Sequence, residues 1–199
     1  MMTGPLLKKN GIRGMYELGC ILNHDCVGNT VHQFTPLESG FGLVMRAGCD
    51  IKQGEEITHS YIDPMDSFLK RQDFLKLGKL FDCTCSRCSD PTELGSYASA
   101  LKCPACKNPV VTLDCSTTKS DWSCTNCPKI FPFLKISALT EAVYQEAEVL
   151  EERTKTSGNN SIPDHEAFIG KFSTVLHPGH VILIMVKYNL ARMYGKMAG

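Results

Sequence analysis

Three cysteines packed into Cys83-Thr84-Cys85-Ser86-Arg87-Cys88 offer three thiolates to one ion and need a fourth ligand from elsewhere. Structural zinc is almost always four-coordinate with Cys or His ligands, and Cys26, in Asn23-His24-Asp25-Cys26, is the natural candidate. This predicts a metal tie between residue 26 and the 83–88 loop. A second set is complete in itself: Cys103-Pro104-Ala105-Cys106, seventeen residues, then Cys124-Thr125-Asn126-Cys127 has the two-knuckle spacing of a ribbon-type zinc site. Disulfides or core thiols are the competing reading. A chain of 199 residues does not need staples, and no secretory leader is expected before these cysteines. Cys20, Cys49 and Cys115 are left over and read as small buried apolar residues or ordinary free thiols.

Composition narrows what the zinc-rich stretch can be for. With 43% hydrophobic residues and 21 basic against 21 acidic side chains, the chain reads as soluble and globular, with one core and a smaller unit. Between Cys83 and Cys127, Arg87, Lys102, Lys107 and Lys119 are balanced by Asp90, Glu93, Asp114 and Asp121. A nucleic-acid-binding ribbon usually carries a basic surface, so direct nucleic-acid binding is disfavoured. Lys8 and Lys9 follow a trivial apolar patch, and the longest apolar run, Val181 to Val186, is far short of a membrane span. A reduced compartment, cytoplasm or nucleus, is expected.

The elements that must position these residues change texture twice. From Met15 to Tyr61, short β-prone runs (Thr30 to Phe34, Gly40 to Ala47, Glu56 to Tyr61) alternate with turns. Asp63-Pro64 breaks the last of them, and Ser67 to Lys79 reads as a helix with Phe68, Leu69, Phe74 and Leu77 available for one face. The cysteine region follows as metal-held loops. After Lys129, Ile136, Leu139, Val143, Ala147 and Leu150 form one helical stripe. Beyond Ser157-Gly158-Asn159-Asn160, a helix from Pro163 and Asp164 carries Phe168, Ile169, Phe172 and Val175. His177-Pro178-Gly179 turns into another carrying Val181, Ile184, Met185, Tyr188 and Ala191. The stripes are read as helix packing rather than a cofactor site, and the hairpin fits a tetratricopeptide-like array. The fold class is therefore α+β: a partial β-rich unit over 1–82, zinc loop and ribbon over 83–128, and an incomplete helical domain over 129–199.

Three motifs in order, Asn23-His24-Asp25-Cys26-Val27-Gly28-Asn29, Gly54-Glu55-Glu56-Ile57-Thr58-His59-Ser60-Tyr61-Ile62-Asp63 and Phe81-Asp82-Cys83-Thr84-Cys85-Ser86-Arg87-Cys88, resemble the C-terminal half of a SET domain and its post-SET zinc loop. Order and spacing match the SET-and-MYND (SMYD) protein methyltransferases. Leu176 to Gly195 resembles the start of that family's helical C-terminal domain, and the Cys103–Cys127 ribbon is similar to an insertion in arthropod members.

The resemblance implies methyl transfer from S-adenosylmethionine to a lysine amine of a protein substrate, with protein partners engaged through the helical domain. Asn23 and His24 match cofactor-binding residues, Phe81 an aromatic packed on the adenine, and Tyr61 the catalytic tyrosine beside the methyl and the lysine nitrogen. Cys26, Cys83, Cys85 and Cys88 match the zinc ligands that fold the post-SET loop over them. The alternative is a zinc-stabilised protein-interaction module without catalysis. Three departures stand out: Asp25 where the family usually has serine, Gly28 where it has proline, and Lys79 where an aromatic is common. The family's glycine-rich SET turn and MYND finger belong upstream of Asn23. A fragment is therefore expected, with no methyltransferase activity and at best weak S-adenosylmethionine binding on its own.

Overall fold

The computed structural model describes residues 14–38 and 40–197 and is α+β; the Lys8–Lys9 pair and Gly199 lie outside the described residues. Strand β1 (Asn23–His24) pairs in parallel with β4 (Thr58–His59), and β2 (Thr30–Leu37) forms an antiparallel hairpin with β3 (Gly40–Ala47). A four-stranded antiparallel sheet follows, in the order β5 (Leu101–Lys102), β6 (Pro109–Thr112), β7 (Trp122–Cys124), β8 (Ile130–Phe131). The helices are α1 (Phe68–Lys79), α2 (Ser86–Ser89), α3 (Phe133–Ser157), α4 (Ile162–Phe172) and α5 (Val181–Met197). None is long and apolar enough to cross a membrane.

The expected strand from Glu56 to Tyr61 shrinks to the two residues of β4. The Asn29 side chain replaces part of the ladder: its Oδ1 accepts from Thr58 N–H at 2.9 Å and its Nδ2 donates to the Glu56 carbonyl at 2.8 Å. Side-chain amides of this kind give the backbone an alternative to sheet pairing. Within the hairpin only Thr30 is buried; its hydroxyl donates to the Thr58 carbonyl at 2.7 Å and fastens the hairpin to β4.

Helix α1 turns a different face inward from the one its apolar residues suggest. Phe74 and Leu77 are exposed at 43% and 82%, while Phe68, Arg71, Gln72 and Leu75 are buried. Positions 68, 71, 72 and 75 make one helical stripe, so a charged and an amide side chain occupy the core face. The helix start is capped from outside: Phe68 N–H donates to Ser99 Oγ at 2.6 Å and Ser67 N–H to Tyr144 Oη at 3.0 Å. Tyr144 lies on α3, so the helical layer holds the entrance of α1 in place.

Ribbon and helices share one core, built around Cys103, Val110, Trp122, Ile136, Val143, Phe168, Leu176 and Leu183. Helix α3 is capped from the ribbon, where Asp121 Oδ1 accepts Phe133 N–H at 2.9 Å. Val175, expected on a helix, lies past the end of α4. The 175–177 segment instead pairs with β5: Lys102 N–H donates to Val175 O at 2.6 Å and His177 N–H to Ala100 O at 3.0 Å. The chain then turns into α5 with Val181 N–H bonded to Ala98 O at 2.9 Å.

Candidate functional site

Four sulfurs from two distant stretches meet beneath α1. The ligand atoms of Cys26, Cys83, Cys85 and Cys88 lie within 4.8 Å of one another, with Cys26 Sγ 3.4 Å from Cys88 Sγ and 3.9 Å from Cys83 Sγ. A zinc–sulfur bond of about 2.3 Å in a tetrahedron puts the sulfurs about 3.8 Å apart, so the quartet has the dimensions of a tetrathiolate site. Contacts among the thiols divide their acidity. Cys83 and its neighbours raise the Cys26 thiol, while donation from Cys26 holds Cys85 and Cys88 below the ordinary thiol range. Zinc takes thiols in their deprotonated form, so binding at this quartet would release protons.

Backbone geometry places each ligand. Cys85 caps the short helix α2, which delivers Cys88 one turn later. Gln72 clamps the Cys83 backbone from both sides, its Nε2 donating to Cys83 O at 2.8 Å and its Oε1 accepting Cys83 N–H at 2.9 Å. Cys26 is held by the 23–29 loop folding against β4. A Cβ built on Gly28 would stand 2.9 Å from His59 Cα, so the proline common here in the family has no room and glycine permits the close approach. Asp25 Oδ1 accepts Val27 N–H at 2.7 Å, an Asx turn that does locally what a serine hydroxyl would do.

The second quartet, Cys103, Cys106, Cys124 and Cys127, also has its sulfurs within 4.8 Å of one another, with Cys106–Cys124 at 3.3 Å and Cys103–Cys127 at 3.6 Å. It is built from backbone. Lys107 takes a left-handed conformation at φ 65°, which closes the first knuckle through Lys107 N–H to Cys103 O at 2.9 Å. The Asn108 amides hold the Cys106 thiol down to about 6, and Asn126 N–H donates to Cys124 Sγ at 3.4 Å. Both quartets are capable of binding zinc, and their donor sets are all thiol. All eleven cysteines are free of disulfides; Cys20 and Cys49 are exposed and Cys115 half-buried.

Beside the first quartet lies an aromatic cluster. His24 faces Tyr61 at a ring-centroid distance of 5.2 Å and Phe81 at 5.9 Å. His24 Nδ1 accepts Tyr61 N–H at 3.0 Å, which leaves Nε2 to carry the proton, 3.4 Å from Cys26 Sγ. One imidazole thus links the bend after β4 that carries Tyr61 to the first sulfur ligand. Burial keeps its pKa below the ordinary value and favours this neutral form. The Tyr61 hydroxyl donates to the Leu22 carbonyl, and burial pushes its pKa up, so it stays a neutral phenol. Asn23 is exposed, next to His24 on β1, with its Nδ2 donating to Glu56 Oε1 at 2.6 Å. Lys79 Nζ lies 5.2 Å from the Tyr61 ring centroid, at the position where the family commonly has an aromatic.

The sequence-predicted residues His24, Tyr61 and Phe81 therefore converge, and Asn23 lies at their edge. Residues not singled out from sequence turn out to support the site: Gln72, Arg71, Glu93 and Asn29. Their common signal, polar side chains on α1 or in turns that look solvent-facing, acquires meaning only with the partners in place.

Residues 6–62 match the SET domain family model. The SET domain-containing protein SmydA-8, isoform A, of Drosophila melanogaster is 36% identical over 182 residues, which covers 90% of this chain and 37% of that protein. A SET and MYND domain-containing protein of Dictyostelium discoideum is 30% identical over 122 residues, 54% of this chain and 31% of the relative. Histone-lysine N-methyltransferase ASHR1 of Arabidopsis thaliana is 42% identical over 84 residues, 42% of this chain and 16% of the relative. The chain spans less than two fifths of the length of the Drosophila protein. The SET match takes in Asn23, His24, Cys26 and Tyr61, and the likeness to SmydA-8 runs over nine tenths of the chain, so the chain is similar to SMYD-like SET-domain proteins.

Proposed function

We propose that this chain is the lysine-facing part of an S-adenosylmethionine-dependent protein-lysine N-methyltransferase, with zinc in both cysteine quartets. The observation that carries the reading is the convergence of His24, Tyr61 and Phe81 against the Cys26–Cys88 quartet. A loop tied to that quartet is fixed next to the aromatic cluster, which is what a site that must close over a cofactor and an alkyl amine requires. The names of relatives such as ASHR1 support lysine as the acceptor.

S-adenosylmethionine supplies the electrophilic methyl when bound. The residues present suit such a ligand: Phe81 and His24 offer half-buried ring faces for a base, and the Tyr61 ring already holds an ammonium group near it, as a face that accepts cations does. The Tyr61 hydroxyl spends its proton on Leu22 O, so its oxygen is free to accept a hydrogen bond from an incoming amine. The phenol is neutral and does not act as the base. It orients the nitrogen, and the amine sheds its proton to solvent before the transfer. Asn23 and His24 lie on β1 where their backbone and amide groups can reach the cofactor's polar ends.

In the full-length protein, Tyr61→Phe is expected to lower turnover by at least about tenfold while S-adenosylmethionine affinity stays within about twofold, because ring packing survives and only the orienting oxygen is lost. Methyl transfer from labelled cofactor and calorimetric titration read the two quantities separately. Equal turnover of the two proteins would remove Tyr61 from its role. A second reading, a zinc-held interaction module without turnover, draws on Lys79, whose positive charge beside Tyr61 opposes a second cation there.

A further inference from the structure

Arg71 is wholly buried, with its guanidinium held between Glu93 and a sulfur of the first quartet. Its Nη1 donates to Glu93 Oε1 at 2.5 Å and to Asp66 O at 2.9 Å, and its Nη2 points at Cys88 Sγ at 3.6 Å. Its Nε has no partner among the described residues. Glu93 is shared, since Arg87 Nη2 approaches the same oxygen at 3.3 Å, and both arginines are buried. Two guanidinium groups therefore share one carboxylate in direct contact, and the Asp66 carboxylate lies within charge range of both.

A buried ionic group is costly unless the surrounding charges close the balance. The Nη2 hydrogen bond to Cys88 gives the buried guanidinium a further anionic partner when the quartet is filled. Four thiolates and a divalent ion carry a net charge of two minus, which the Arg71 guanidinium meets directly at Cys88. The ribbon quartet is served differently, by backbone N–H groups such as Asn126 N–H on Cys124 Sγ.

We propose that Arg71 is a positioning residue for the first quartet: through its hydrogen bond to Cys88 it tempers that thiolate's donation and holds the metal in place. This rests on the reading that the first quartet binds zinc. Outer partners of metal ligands commonly alter affinity by about 10- to 100-fold. The guanidinium acts through Cys88 and takes no part in the transfer of a methyl group.

The test is zinc release from the zinc-loaded protein into excess chromophoric chelator, which should run in two phases, the first quartet identified by its loss in Cys26→Ser. Arg71→Met is expected to speed that phase by about 10- to 100-fold and leave the ribbon phase within about twofold. Arg71→Lys, which keeps the charge and loses the planar fork, should fall between and guards against misfolding of the first variant. In the cobalt(II)-loaded protein, Arg71→Met should move thiolate-to-metal charge-transfer bands to lower energy, because the freed sulfur donates more strongly. Release at the wild-type rate in both variants, or equal acceleration of both phases, would overturn the proposal, the latter by showing a general loosening. A zinc content unchanged by Cys26→Ser would instead remove the zinc reading of the first quartet, and the proposal with it.

Discussion

The two cysteine quartets solve the same coordination problem with opposite means. The ribbon quartet is local: its two knuckles lie on one small sheet, Cys106 and Cys124 are 18 positions apart, and backbone N–H groups support the sulfurs. The first quartet is long-range, since Cys26 meets Cys83 across 57 positions, and side chains support it: Gln72 on Cys83, His24 beside Cys26, Arg71 on Cys88. Backbone support comes with the turn itself and asks little of the rest of the fold. Side-chain support requires α1, the 23–29 loop and the Glu93 turn to be in place together, and it couples the sulfurs to the aromatic cluster. The first quartet is thus the one whose integrity bears on Tyr61.

The largest expected difference comes from removing one sulfur from each. Cys26→Ser should leave about one zinc per chain and lower stability by at least about 3 kcal/mol, because metal binding at such sites is folding free energy. Cys106→Ser should also lose one ion, yet cost less. Closing a 57-residue loop rather than an 18-residue one is worth about 1 kcal/mol more in chain entropy alone. Metal analysis and denaturant unfolding of the two variants check this. Equal stability losses would show that the long-range tie has no special weight.

Gly28→Ala probes the same tie without touching a ligand. The added methyl would meet the His59 backbone at 2.9 Å, and β4 cannot give way without moving the Thr58 and Asn29 bonds. The expected cost is about 1–3 kcal/mol, in the range of overpacking elsewhere, with faster zinc loss from the first quartet only. An unchanged unfolding midpoint would mean that the 23–29 loop slides on β4 and does not position Cys26.

The contrast also explains what could be read from the chain. Both quartets were legible because thiolate spacing in short motifs survives without knowledge of the fold, and Cys26 was found by counting ligands. The α+β class and the three long helices followed from apolar periodicity at Ile136 to Leu150, Phe168 to Phe172 and Val181 to Ala191. The inner face of α1 was not legible. Arg71 and Gln72 look like solvent-facing residues until Glu93, Cys83 and Cys88 surround them, and Phe74 and Leu77 look like core until the helix is rotated by those polar anchors. The pairing of the 175–177 segment with β5 escaped for a similar reason, as a lone bridge between segments far apart in sequence leaves no periodic trace. Asn29 shortened β4 by hydrogen bonds that no propensity scale anticipates.

The smallest effect concerns Asp25, and it separates a departure in sequence from a departure in structure. Its carboxylate accepts Val27 N–H at 2.7 Å, closing the turn that leads into Cys26 and Gly28. A serine hydroxyl can accept the same hydrogen bond, so Asp25→Ser should change stability by less than about 0.5 kcal/mol, as surface substitutions that keep their contacts do. Asp25→Ala leaves the Val27 N–H without this partner and should cost about 1 kcal/mol, in the manner of a lost side-chain cap. The zinc content of both variants should stay at two, since neither residue is a ligand. Were Asp25→Ser to cost as much as Asp25→Ala, the carboxylate charge rather than the turn would be the working part, acting on the neighbouring His24 imidazole, whose pKa Asp25 raises against the larger pull of burial. In that case the stability difference between Asp25→Ser and the wild type should shrink as salt is added, whereas a difference set by turn geometry would not respond.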